Sequence, residues 1–263
     1  MPANPVRAAA LLSGLALAFM LLVCAPFLVM RTEVPTLLLL VGRWLPAVAS
    51  LLVLRLVRHE GGVVSWWGLR PGGWRRLLAG IGAALAVSLV VGLVPYAIGR
   101  ATGLVAGATL PGPLELAGIA LVTTVVASLS TLGEEVAWRG HLQKLLSGWG
   151  FWGASLAIGA VWVLWHVPLH ATYVVAGTMS MSVAAATTVA LIGSAPLWSA
   201  LVVRFGSVWP AVVAHAFPLT ATAFAGDLGA LEAGRLWAYV GLSILVSGAA
   251  AVLIAPRGRT VEG

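Results

Sequence analysis

Eight stretches of this chain are long and apolar enough to cross a bilayer, and that property excludes most folds. They cover residues 8–30, 35–57, 77–98, 114–146, 151–173, 181–203, 208–225 and 236–254. A hydrocarbon core of about 30 Å takes roughly 20 apolar residues in a helix. Only helices and closed barrels satisfy their backbone groups where water is absent. The expected fold class is therefore all-α: a polytopic membrane protein, a bundle of about eight transmembrane helices. The fourth stretch is too long for a span alone, so its last turns are expected to project past the hydrocarbon, and the seventh is short and holds Pro218. The first is too long for the apolar core of a signal peptide and lacks a convincing small-x-small cleavage pattern, so it reads as a helix. Composition agrees, with 60% hydrophobic and 9% charged residues, against about a quarter charged in soluble domains. Cys24 is the sole cysteine, so no internal disulfide can form.

With eight spans both termini share one side. That side collects Arg7, Arg55, Arg58, Arg70, Arg75, Arg76, Arg139, Lys144, Arg204, Arg257 and Arg259, and the other only Arg31, Arg100 and Arg235. Eleven against three places both termini in the cytoplasm of a cell-membrane protein by the positive-inside rule. The net charge of +7 thus sets orientation and points to membrane lipid, not nucleic acid, as its partner. Trp66, Trp67, Trp74, Trp149, Trp152 and Trp209 fall near the same ends, as an interfacial belt does. The chain reads as one transmembrane domain, residues 1–256, followed by a short disordered cytoplasmic tail, 257–263. Residues 59–73 form a short cytoplasmic arm, and the Gly- and Pro-rich loop 102–113 lies outside.

Three intramembrane places carry polar residues that lipid penalises, so each is read as functional with a partner inside the bundle. They are Glu134-Glu135 with Arg139, Trp162 with His166 and, beyond Pro168, His170, and His215. Glu134 lies about as far before the turn near 148–150 as His166 lies after it, which puts both roughly 20–25 Å along their helices. A single cytoplasm-facing cavity can then hold Glu134, His166 and His215. Glu135 and Arg139 are i,i+4 neighbours in the order that favours an ion pair. Glu134 points about 100° away on the helix, toward the face of Trp138 and His141, and is expected to be unpaired. A carboxylate left unpaired in a low-dielectric cavity suits a general base acting on water. An imidazole can share that water, and a second can stabilise an oxyanion. This equipment hydrolyses an amide without a serine or cysteine nucleophile. His141 and His59 are read as interfacial, and Arg43 as snorkelling or pairing structurally.

The motifs Glu134-Glu135-x-x-x-Arg139, Trp162-x-x-x-His166 and His215-x-x-x-Leu219 resemble those of the CPBP family. These are the CAAX-protease and bacteriocin-processing proteins, often labelled Abi, related to the type II CAAX prenyl endopeptidase. The resemblance covers about residues 115–226 and extends to the Trp67-Gly68-Leu69-Arg70 arm and the eight-span layout. It implies an intramembrane endopeptidase that hydrolyses peptide bonds at the cytoplasmic side by glutamate-activated water. Glu134 would be the base, His166 the water partner and His215 the third catalytic side chain, with Glu135, Arg139 and Trp162 in support. The substrate would be a peptide or protein, lipidated or not. Whether the histidines hold a metal stays open: Glu134, His166 and His215 can supply ligands for a zinc ion, with His170 as a replacement.

Two positions depart from the family pattern. Trp162 stands for a Phe, a mild change, and Leu219 stands where the family has Asn or Asp. Leu cannot donate a hydrogen bond. That loss supports a second reading, in which the chain is a catalytically weak or inactive relative acting as a membrane scaffold or bacteriocin self-immunity protein.

Overall fold

The computed structural model describes residues 1–256, so the expected tail, with Arg257 and Arg259, lies outside the described residues. Eight helices are long and apolar enough to cross a membrane, and no strand occurs among the described residues. The first span is α1 (Pro5–Met30), and α2 (Thr36–Gly42) and α3 (Leu45–Leu56) together make the second. The arm carries α4 (Val63–Trp66), and α5 (Trp74–Ala101) is the third span. The fourth joins α6 (Pro113–Glu135), a π-helical stretch (Val136–Leu142) and α7 (Gln143–Leu145). Then come α8 (Gly150–Ala176) and α9 (Met181–Phe205). A broken seventh span of α10 (Trp209–Ala216) and α11 (Ala221–Ala225) precedes α12 (Ala233–Ile254). Both ends of the described residues therefore lie at one face of the bundle, here the termini face; the opposite one is the far face.

Three departures from regular helix position the site. The second span breaks at Arg43–Trp44, because Pro46 in the first turn of α3 has no N–H to continue the α2 ladder. Gly133 of α6 lies directly against that break: a Cβ there would sit 2.7 Å from the Arg43 carbonyl oxygen and 2.7 Å from the Trp44 Cα. Immediately after Glu135 the helix widens into the π stretch, whose seven residues are all buried. Such π turns recur at functional sites because they splay side chains that a regular helix would stack. In the seventh span Phe217 is extended (ψ 121°), as the residue before a proline must usually be, so α10 ends one residue past His215.

The last turns of the fourth span, expected to project past the hydrocarbon, do not stand free. The arm covers them: Lys144 donates to the Ser65 carbonyl, and Gly140 lies so close to the Trp67 backbone that a Cβ would meet its carbonyl oxygen at 2.7 Å. The arm also bonds α10, with Val208 N–H donating to the Gly68 carbonyl at 3.0 Å and the Trp209 indole to the Leu69 carbonyl at 2.9 Å. His141 is buried rather than interfacial. It bonds Ser50 at 2.9 Å and His59 at 3.2 Å beneath the arm.

Candidate active site

Glu134 and Glu135 end α6 and diverge toward different elements. Glu134 is fully buried, and both its oxygens are held: Oε1 accepts from Arg43 Nε at 2.6 Å, Oε2 from the Trp162 indole at 2.7 Å. The expectation of an unpaired Glu134 is thus overturned. A carboxylate at this depth needs a cation or donors, and the break in the second span delivers Arg43 to it. Glu135 takes its expected partner, Arg139, at 3.0 Å. The same oxygen of Glu135 accepts from His215 Nδ1 at 2.8 Å.

His215 joins the two pairs. With Nδ1 donating to Glu135, its Nε2 accepts from Arg43 Nη2, at 2.5 Å. Bonding at both nitrogens fixes one neutral tautomer. Two carboxylates, two guanidinium groups and one imidazole therefore form a buried cluster whose formal charges cancel. Trp198 of α9 stacks on the His215 ring (centroids 4.3 Å apart, 24° between planes). Arg139 lies between the Trp162 and Trp198 rings, 4.7 and 5.0 Å from their centroids. These cation–π contacts offset the absence of protein partners for its Nε and Nη2.

His166 stands one turn beyond Trp162, and its Nδ1 donates to the Trp162 carbonyl at 2.9 Å. That bond directs Nε2, which has no protein hydrogen-bond partner among the described residues, toward open space. Pro168 does not break α8. His170 consequently shares the face of His166, with ring centroids 5.8 Å apart, and bonds Thr188.

Two cavities reach this cluster in place of the single one expected. The first, about 370 Å³, is floored by Trp162, Trp198 and His215 and walled by Ser194 and Leu219. The second, about 350 Å³, is floored by Glu134 and Arg43 and walled by Leu39 and Thr36. His166 and His170 line both. Each volume is in the range of small-molecule and peptide side-chain pockets.

The proposed zinc ligands do not fit a metal site as arranged. No group of three His, Cys, Asp or Glu side chains is arranged to hold a metal ion among the described residues. The Arg43 guanidinium is bonded to both Glu134 and His215, where a dication would have to sit, and His215 has neither nitrogen to spare.

Sequence reasoning placed Glu134, Glu135, Arg139, Trp162, His166 and His215 at one site, and these side chains lie near one another in the structure. It left out Trp198, Ser130, 3.4 Å from Arg43, and the part that Arg43 plays. The one available signal was Arg43 itself, a cation within an apolar span. Leu219 lies on an irregular segment past Pro218, not one helical turn beyond His215, and its carbonyl oxygen packs on Gly92, where a Cβ would meet it at 2.4 Å.

Residues 113–218 match the family model described as Rce1-like, type II CAAX prenyl endopeptidase. No curated protein matches the chain. The matched segment runs from the first turn of α6 through the π stretch and α8 to the end of α10, so it holds every cluster member except Arg43. That segment is similar to the family that the motifs resemble, and the family is one of proteases.

Proposed function

We propose that this chain, Rce1-like over residues 113–218, is an intramembrane endopeptidase in which Glu134 activates water for attack on a peptide bond. The observation that carries the reading is that Glu134 and His166 line one cavity, each already oriented by Trp162. Each carboxylate oxygen keeps a lone pair after its one bond, so Glu134 can still accept from water. A water held between Glu134 and His166 Nε2 gives its proton to Glu134 as its oxygen attacks the scissile carbonyl. Glu134 then passes that proton to the leaving amine. The Arg43 guanidinium lines the same cavity, is about a quarter exposed, and can stabilise the oxyanion. His215 and the Glu135–Arg139 pair hold Arg43 and Trp162 in place.

The reaction is run on the residues present, with no metal in any step. Its test is cleavage of a quenched farnesylated peptide ending in Cys-aliphatic-aliphatic-X by purified wild type and Glu134→Gln. Cleavage by wild type and its loss in the variant support the reading. Signals that cannot be told apart favour the scaffold or self-immunity alternative, which Leu219 supports.

A further inference from the structure

The first cavity is walled by hydroxyls that the fold does not use. Ser88 of α5, Ser194 of α9 and Ser247 of α12 all line it. Each lies roughly 20 Å along its helix at 1.5 Å per residue, near the middle of its span. None of the three has a hydrogen-bond partner among the described residues, and none is enclosed, so their oxygens open on the cavity. Serines that line neither cavity behave differently. Ser13, Ser128 and Ser155 give their hydrogen to a carbonyl of their own helix, at 2.9, 2.7 and 3.3 Å. Ser199 is unbonded as well, but it is sealed among its neighbours.

Thr220 and Thr222 extend the set from the irregular segment past Pro218, and both line the same cavity. Their oxygens lie 2.9 Å apart, and Thr220 also accepts from the Ala223 N–H at 3.2 Å. One of their two hydroxyl hydrogens makes the bond between them. The other is left for whatever the cavity holds.

Unpaired hydroxyls at membrane depth are costly, so their convergence from three helices and a loop points to a guest that supplies partners. A hydroxyl both donates and accepts, which suits a guest whose groups alternate N–H with C=O. An extended peptide is such a guest. Away from water it cannot satisfy its own backbone, and among the described residues the bundle has no strand edge to pair with it. The position of the cavity agrees. It shares His166 and His170 with the cavity of Glu134, so a chain whose scissile bond lies between Glu134 and His166 continues past the imidazoles into it.

We propose that the first cavity is a backbone-binding subsite that holds one flank of the substrate in extended form. Ser88, Ser194, Ser247 and the Thr220–Thr222 pair are the hydrogen-bond partners of its peptide groups. Resting on the endopeptidase reading, this adds a selectivity for segments that are unwound on that flank. A helical segment has its N–H and C=O groups paired already and gains nothing from the hydroxyls.

Binding is read on Glu134→Gln, so the test needs no turnover. The probe is a fluorescein-labelled farnesylated peptide ending in Cys-aliphatic-aliphatic-X, and the signal is the anisotropy that unlabelled peptide displaces. Ser88→Ala, Ser194→Ala, Ser247→Ala and the triple variant are compared with the parent. Each change removes only an unbonded hydroxyl, so the fold should persist, and size-exclusion chromatography checks it.

Each single change is expected to raise Kd about 2–10-fold, the scale of one hydrogen bond, and Ser194→Thr should restore parental affinity. Peptides with one flanking amide replaced by an ester should lose affinity for the parent and lose none for the triple variant. A triple variant with parental Kd overturns the subsite and leaves a cavity filled by water alone. Ester losses that are equal in both proteins overturn the backbone assignment, and so does the absence of displaceable binding. Cleavage by wild type separates the two ideas. Cleavage with a Kd indifferent to the serines removes the subsite and keeps the endopeptidase reading, and a Kd that follows the serines without cleavage does the reverse.

Discussion

Arg43 Nε donates to Glu134 Oε1 across 2.6 Å, although 91 residues separate the two in the chain. The pair links a break in the second span to the end of α6, and its second arm reaches His215. Removing the cation while keeping its bulk, as in Arg43→Met, leaves a fully buried carboxylate with the Trp162 indole alone. Breaking a buried pair in this way costs about 3–5 kcal/mol. A large fall in Tm in detergent, together with loss of peptide cleavage, is expected. Arg43→Lys keeps the charge but cannot reach Glu134, His215 and Ser130 together, so it should recover stability more than turnover. A wild-type Tm for Arg43→Met would show that the contact contributes little.

The two neighbouring glutamates should separate cleanly. Glu134→Gln removes a base of the kind that supplies about 10²–10⁴ in rate. Arg43, partly exposed to the cavity, can be hydrated there, so the fold should survive. Glu135→Gln instead weakens the one oxygen that both Arg139 and His215 use. It is expected to lower the yield of folded protein before any effect on chemistry is measurable. Thermal melts and cleavage rates on the same preparations decide between these patterns.

Exhaustive chelation should leave cleavage of the farnesylated peptide unchanged, and purified protein should carry zinc well below one ion per chain. Stoichiometric zinc that disappears in His166→Ala, with activity lost on chelation, would instead require Arg43 to leave the cluster during turnover.

Leu219 lines the first cavity, which shares His166 with the cavity of Glu134, so an amide introduced there reaches the reacting carbonyl only when the substrate spans both cavities. If the reaction lacks one oxyanion donor, Leu219→Asn should raise turnover by about 10²–10³, the scale of one such donor. No gain, with a lowered Tm, would indicate that the amide only desolvates. That result would strengthen the reading of the chain as a non-catalytic relative.

What the sequence made legible follows from the range of each interaction. Span lengths and the Glu135–Arg139 pair depend on near neighbours, and both appear in the structure where periodicity put them. The partner of Glu134 was illegible because no local spacing connects residue 43 with residue 134. The face of Glu134 was misjudged for another reason. The reading assumed an unbroken α-helix through Trp138 and His141, and the π stretch after Glu135 rotates those residues toward α8 and the arm. The position of the Leu219 side chain relative to His215 was illegible because α10 ends at Ala216 and the chain from Phe217 to Thr220 is not helical.

The short α10 has one further consequence. Its first turn is pinned to the arm by the bonds of Val208 and Trp209, and His215 sits about 9 Å along it by helical rise. The segment from Trp209 to His215 thus acts as a ruler, and its length sets both the depth and the bearing of the imidazole. One residue inserted within it would turn the ring by about 100°, away from Glu135 and Arg43 together. A ruler this short tolerates no change in count.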